Sequence, residues 1–296
     1  MQNEDPFPVS NNHDQLLHQF RRNGYFLKED LLPVTELDPL IQDIEEGIEN
    51  TLKSKRLSSE ITTTPSTYFE KRLYWLENKI EDGFFVRQSV TGKHLKTSGL
   101  LQLASNNRIL DLVEKLIGPE ILFHPQYNVQ AKMPFERHSQ IPWHQDLWFL
   151  DREAEATPMV NLWIPLVDAT LDNGCLELIQ GSQGQGLKNH QALSGYPEDH
   201  IGISDTDLPA GEHIACPLIK GGAILFQHKT VHRSRPNLTD SIRWSVDIRY
   251  SDARKPTGRN VPGLLLRSEH SPDSVDPSLS KWLQLMETVT DLPYIC

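Results

Sequence analysis

In Met159-Val160-Asn161-Leu162-Trp163-Ile164-Pro165-Leu166-Val167 and Cys175-Leu176-Glu177-Leu178-Ile179, two apolar runs flank the turn residues Asp172-Asn173-Gly174. Both runs are too short for typical helices and carry β-branched or aromatic residues, so the segment reads as strand, turn, strand. The pattern continues outward. Upstream, Ile121 to Ala131 and Trp143 to Phe149 have strand length; downstream, so do His213 to Ile219, Ala223 to Gln227 and Ile242 to Tyr250, with Gly181-Ser182 and Gly221-Gly222 as further turns. Many short strands with such punctuation predict a β-sandwich or jelly roll.

Ahead of Gly118 the period changes from two to that of a helix. Asp14 to Phe20 and Val34 to Leu52 carry apolar residues at helical spacing, with Thr35 or Asp38 placed to cap the second segment, and Gly24-Tyr25-Phe26-Leu27 reads as a short strand between them. Asn107 to Leu116 is a further helix that stops at Gly118-Pro119. Lys53 to Thr67, rich in Ser, Thr and Lys, is a loop and a candidate cover for a site. Leu279 to Val289 is an amphipathic helix for the outside. The chain thus reads as one domain over 1–296: a mainly helical part (1–120) with the loop 53–67, a β core (121–252) and a C-terminal extension (253–296), an α+β, mainly β design braced by N-terminal helices.

Composition narrows the partners. Of 296 residues, 38% are hydrophobic and 23% charged, as in ordinary globular chains. The apolar run Val160 to Val167 falls well short of the roughly 20 residues that cross a bilayer. Met1 to Ser10 is acidic and lacks a secretory pattern, and three scattered cysteines, Cys175, Cys216 and Cys296, suit a reducing, cytoplasmic setting. A net charge of −11 argues against nucleic acid, which needs a basic face. A small-molecule substrate is expected. Arg249, Arg254, Lys255 and Arg259 form a local basic group that suits either a pocket entrance for an anion or a solvated surface.

The chemistry centres on Pro142-Trp143-His144-Gln145-Asp146, the sole His-x-Asp in the chain. On a strand His144 and Asp146 project from one face, a two-armed metal clamp. With 12 histidines present, about one such pair arises by chance, so other residues must support it. A third ligand stands in Gln227-His228-Lys229-Thr230-Val231-His232-Arg233-Ser234, where His232 ranks above His228. Two imidazoles and one carboxylate leave three positions of octahedral Fe(II) open, enough for a bidentate keto acid and dioxygen. Arg243, 11 residues after His232 (243 − 232), lies in the apolar strand Ile242-Arg243-Trp244-Ser245-Val246. A guanidinium there needs a carboxylate partner: the distal carboxylate of 2-oxoglutarate, or a structural salt bridge.

Taken together, the chain resembles the phytanoyl-CoA dioxygenase family of Fe(II)/2-oxoglutarate oxygenases. The resemblance rests on Trp143-His144-Gln145-Asp146-Leu147, Trp163, Asp172-Asn173-Gly174-Cys175-Leu176, Lys220 to Phe226, His232-Arg233-Ser234 and Arg243, in that order, and runs from about Asp14 to Asp252. It implies a double-stranded β-helix of cupin-like kind, iron on His144, Asp146 and His232, and a 2-oxoglutarate whose far carboxylate meets Arg243 and Ser234. It also implies that Trp163 packs beside the keto acid and that Asn128 and Gln130 hydrogen-bond it. Gln180-Gly181-Ser182-Gln183 departs from the family's Pro-Gly-Ser-His, which bears on substrate positioning and leaves the metal ligands untouched. The implied reaction uses O2, oxidises a C–H bond, and releases succinate and CO2. Two other readings stay open: a cupin-like hydrolase or isomerase that holds zinc on the same triad without 2-oxoglutarate, and a non-catalytic ligand-binding member. Substrate candidates for contact are Trp148, Phe149, Tyr127, His138 and the loop 53–67.

Overall fold

A period of four along Leu40, Ile44, Ile48 and Leu52 puts four fully buried side chains on one side of helix α2 (Asp38–Ser54). Burying each such residue stabilises the fold by about 1.5–3 kcal/mol, so this stripe sets how the helix docks. The computed structural model describes residues 15–54, 69–81, 83–93, 95–136, 140–196 and 200–287. Residues 55–67 of the expected cover loop, His138, and Val289 at the end of the last expected helix lie outside them.

Around α2 stand α1 (Gln15–Asn23), α3 (Phe69–Lys79), α4 (Gly83–Val90), α5 (Ser98–Ala104) and α6 (Asn107–Ile117). The expected second helix begins at Asp38 rather than Val34. Pro39 suits the first turn of a helix, and Val34–Leu37 forms a separate 3-10 turn before it. Asn106 caps α6, its side-chain oxygen accepting from Arg108 N, and Gly118 ends it at φ 89°.

The strands are β1 (Tyr25–Lys28), β2 (Ile121–Phe123), β3 (Asn128–Lys132), β4 (Met159–Pro165), β5 (Leu176–Ile179), β6 (Gln191–Ala192), β7 (Ile201–Gly202), β8 (His213–Cys216), β9 (Ala223–Gln227), β10 (His232–Ser234), β11 (Arg243–Asp252) and β12 (Leu264–Arg267). The large sheet runs β1-β9-β4-β11-β2-β12, with β3 paired to the other end of β11; the small sheet runs β10-β5-β8. All of these pairings are antiparallel. The expected single strand from Ile121 to Ala131 is two strands. Pro125 lies at the break, where a residue without an N–H cannot extend the ladder, and both pieces pair with β11. β12 joins the large sheet through β2, so the sheet extends into the part read as a C-terminal extension. Helix α7 (Leu279–Glu287) places Trp282 against Phe123 and Tyr127.

The pleat of β11 organises the rest. Trp244, Val246, Ile248 and Tyr250 enter the main apolar core shared with the helices, Tyr250 donating to Ala104 O at 2.8 Å. Arg243, Ser245, Asp247, Arg249 and Ser251 alternate with them and so face the space between the two sheets. This is a jelly roll with helices on the outer face of its large sheet.

Candidate metal centre

His144 and Asp146 do not sit on a strand. Of the expected strand Trp143 to Phe149, only a single bridge remains, His144 N donating to His232 O at 2.9 Å and His232 N to His144 O at 3.0 Å. Asp146 already opens a 3-10 turn, Asp146–Phe149. The turn is imposed by partners of its backbone: Leu147 N donates to His228 O and Trp148 N to Gln145 O. The two arms therefore converge through a turn and not through a pleat.

Gln145, between the ligands, is fully buried and acts as a clasp. Its Nε2 donates to Gly186 O and Lys229 O, its Oε1 accepts from Lys188 N, and its backbone N–H donates to His190 Nε2 at 2.9 Å. His190 stacks on Trp148 with ring centres 4.7 Å apart.

One ligand atom from each of His144, Asp146 and His232 lies within 4.8 Å of the others. Each histidine Nε2 is 4.0 Å from an Asp146 oxygen. The tautomers follow from the partners. His144 Nδ1 lies 2.9 Å from Pro142 O and His232 Nδ1 3.0 Å from Thr230 O. A carbonyl can only accept, so both Nδ1 atoms carry the proton and both Nε2 lone pairs face Asp146. Burial, and then the neighbouring imidazole, lowers the His144 pKa to about 4; burial also lowers that of His232. Both rings are neutral and ligand-competent near neutral pH.

Asp146 is gripped from behind. Arg249 Nη2 lies 2.9 Å from Oδ1, and Asn161 Nδ2 donates to Oδ2. Burial pushes the pKa of this carboxyl up, but Arg249 and the two imidazoles outweigh it and bring the value down to about 2. A carboxylate offers about four lone-pair sites, so these two bonds leave capacity for a metal. Arg249 in turn donates to Asn161 Oδ1 at 2.6 Å and to Gln126 Oε1 at 2.8 Å.

One cavity takes in the triad together with Ser234, Trp163, Asn128 and Gln130. Arg243 is not on its wall. It is fully buried, its guanidinium 5.1 Å from the centre of the Trp163 ring, with Nη1 donating to Ser245 Oγ and with Nε and Nη2 unpartnered. No carboxylate of the described residues stands within ion-pair distance of it, so the structural salt bridge weighed for Arg243 does not form. Two buried N–H groups without acceptors are costly and suit an incoming carboxylate. Ser234 Oγ accepts from Lys132 Nζ at 2.7 Å. His228, the competing ligand, is buried with both ring nitrogens unpartnered and lies outside the triad.

Sequence reading missed Lys132, Gln145, Asn161, His190 and Asp247. The alternation along β11 and β3 is the signal that finds Asp247 and Lys132. His190 lies in irregular chain, where no period marks it. Of the basic group, Arg249 pairs directly with Asp146 and shares Gln126 with Arg259, whereas Arg254 pairs with Asp252.

The chain is 28% identical over 258 residues to phytanoyl-CoA dioxygenase domain-containing protein 1 of Danio rerio, covering 78% of this chain and 87% of that protein. It is 24% identical over 260 residues to the ectoine dioxygenase of Nocardia farcinica (82% and 78%). Among solved structures, the apo non-heme monooxygenase ThoJ superposes with a TM-score of 0.65 at 19% identity, covering 93% of this chain and 94% of that one. EctD from S. alaskensis with 2-oxoglutarate and 5-hydroxyectoine gives 0.53 at 18% (93% and 89%). The model of the phytanoyl-CoA dioxygenase (PhyH) family matches residues 20–245, most of the chain, which therefore belongs to that family and is an oxidoreductase of the dioxygenase class.

Proposed function

We propose that the protein holds Fe(II) on His144, Asp146 and His232 and uses 2-oxoglutarate and O2 to oxidise a C–H bond of a small organic molecule, with release of succinate and CO2. The observation that carries this reading is the convergence of two carbonyl-tethered imidazoles and one carboxylate within 4.8 Å, a donor set that suits Fe(II) and leaves one face open.

When bound, the metal and the keto acid supply the oxidising chemistry. The chain's own work is placement. Pro142 O and Thr230 O hold the two rings in the ligating tautomer. Arg249 and Asn161 keep Asp146 ionised and oriented. The free N–H groups of Arg243, with Ser234 beside the cavity, offer the distal carboxylate a fork and a hydroxyl. Trp163 gives the keto acid an aromatic wall, and Asn128 and Gln130 on β3 give it hydrogen bonds. The largely buried surroundings of the triad limit water around the reacting groups. That one relative is an L-proline trans-4-hydroxylase and another an ectoine dioxygenase supports a small-molecule substrate.

The test is an anaerobic titration of the metal-free protein with Fe(II) and then 2-oxoglutarate, following the visible charge-transfer band of the chelate. A band in the wild type that is lost in Asp146→Ala, and that needs far more co-substrate in Arg243→Ala, is the expected result. A folded, iron-loaded wild type without the band would remove the 2-oxoglutarate reading and favour a zinc hydrolase or a binding protein on the same triad.

A further inference from the structure

Asp247 has no task in the site described so far. It projects from β11 into the cavity that holds the triad, between its register partners Asn128 on β3 and Trp163 on β4. Its Oδ2 is buried without a hydrogen-bond partner. Neither arginine on the same face of the strand pairs with it: Arg243 bonds Ser245, and Arg249 is spent on Asp146, Asn161 and Gln126. An acceptor left unmet inside a protein costs about 1–3 kcal/mol, more for a charged group, and a cavity wall is where a ligand can remove that cost.

Resting on the reading of the site as an Fe(II)/2-oxoglutarate oxygenase, we propose that Asp247 is the specificity residue for the substrate, and that the substrate carries a protonated amine which Asp247 receives. Arg243 is reserved for the co-substrate carboxylate and Arg249 for Asp146, which leaves Asp247 as the carboxylate of this cavity without an assigned cation among the described residues. Burial, with Asp146 nearby, pushes the Asp247 pKa up to about 7 even though Arg243 and Arg249 pull it down. The arginines present thus do not offset its desolvation, and an ammonium in contact would. A carboxylate–ammonium contact is a charge-assisted hydrogen bond, the stronger kind, and it selects against neutral and anionic analogues of the same shape.

The experiment titrates the anaerobic Fe(II)/2-oxoglutarate protein at pH 8 with three probes of one shape, cyclohexylamine, cyclohexanol and cyclohexanecarboxylate, and reads the perturbation of the charge-transfer band and the heat of binding. The band before any probe is added reports on the oxygenase reading; the ranking of the probes reports on Asp247. The expected result is a preference for the amine of about tenfold or more over the alcohol, which Asp247→Asn abolishes while its own starting band stays as in the wild type. Removing a buried, unpaired charge does not threaten folding, and Asp247→Ser serves as a second variant of different shape. Equal binding of the probes, binding of none, or an amine preference that survives in both variants would overturn the proposal.

Discussion

Arg243 is an uncommon sight inside a protein: a guanidinium at 0% exposure whose one polar partner among the described residues is a serine hydroxyl. Burial lowers its pKa to about 10, so the charge stays on at neutral pH. What matters at this residue is the shape of the donor as much as its charge. Lysine would keep the charge but lose the planar fork and the stacking on Trp163. Arg243→Lys is therefore expected to weaken 2-oxoglutarate binding at least tenfold with Fe(II) affinity unchanged, as read by titrating the iron-loaded protein. A variant that bound the co-substrate as well as the wild type would show that the fork is not the anchor. The triad and Arg243 were legible because their spacing is carried in the linear order of the chain. Asn161 and His190 were not, since a side chain that braces a ligand across a fold leaves no mark near that ligand in sequence.

At the level of elements, the segment from Pro142 to Phe149 shows how a reading can reach the right residues by the wrong geometry. Its strand-like composition comes from burial of Trp143, Leu147 and Phe149, not from pairing, and the turn at Asp146 depends on backbone partners far away in sequence. Gln145 carries much of that turn. Gln145→Ala removes three hydrogen bonds that the buried side chain makes to the backbone of Gly186, Lys188 and Lys229, a loss of about 3 kcal/mol, and is expected to weaken Fe(II) binding by about tenfold. Chemical denaturation and competition with a chelator check the two effects separately. The Asp172-Asn173-Gly174 turn was legible, and its glycine is required: at φ +91° a Cβ would lie 2.5 Å from Arg235 O and 2.6 Å from the Lys132 side chain. Gly174→Ala is expected to cost on the order of 2–4 kcal/mol, read as a shift of the denaturation midpoint. Helices α3, α4 and α5 escaped the sequence reading because their apolar stripes, such as Leu73 with Leu76 and Val86 with Val90, are only one or two turns long.

For the molecule as a whole, buried histidines set the acid limit of stability. Burial holds His124 and His228 at about 3 and His190 at about 4, against an ordinary 6.5. Below 6.5 the unfolded chain takes up protons that the folded one refuses, so stability is full above that pH and is lost as pH falls toward 4 and 3. Asp247 has the opposite sign: its folded pKa lies above its unfolded one, so its contribution is present below about 4 and lost as pH rises through about 7. The melting temperature is expected to drop steeply from pH 6.5 to 4, and the advantage of Asp247→Asn over the wild type to grow between pH 4 and 7. A flat profile in the acid range would show that these histidines do not stay neutral in the fold. Fe(II) at a hundredfold excess over its dissociation constant is expected to stabilise the protein by about 2.7 kcal/mol, roughly 5 °C in melting temperature for a chain of this size. Differential scanning calorimetry with and without the metal measures both. Among the described residues no helix is long and apolar enough to cross a membrane.

The two faces of β11 answer to different demands. Trp244, Val246, Ile248 and Tyr250 belong to the core with the helices, and the alternating Asp247 and Arg249 belong to the cavity. A mutation at 247 therefore changes what the cavity meets while the packing against the helices stays in place, whereas one at 246 does the reverse. Evolution can explore new chemistry along one edge of this strand while leaving foldability alone, and a laboratory library confined to the odd positions, sparing Arg243 and Arg249, inherits the same freedom.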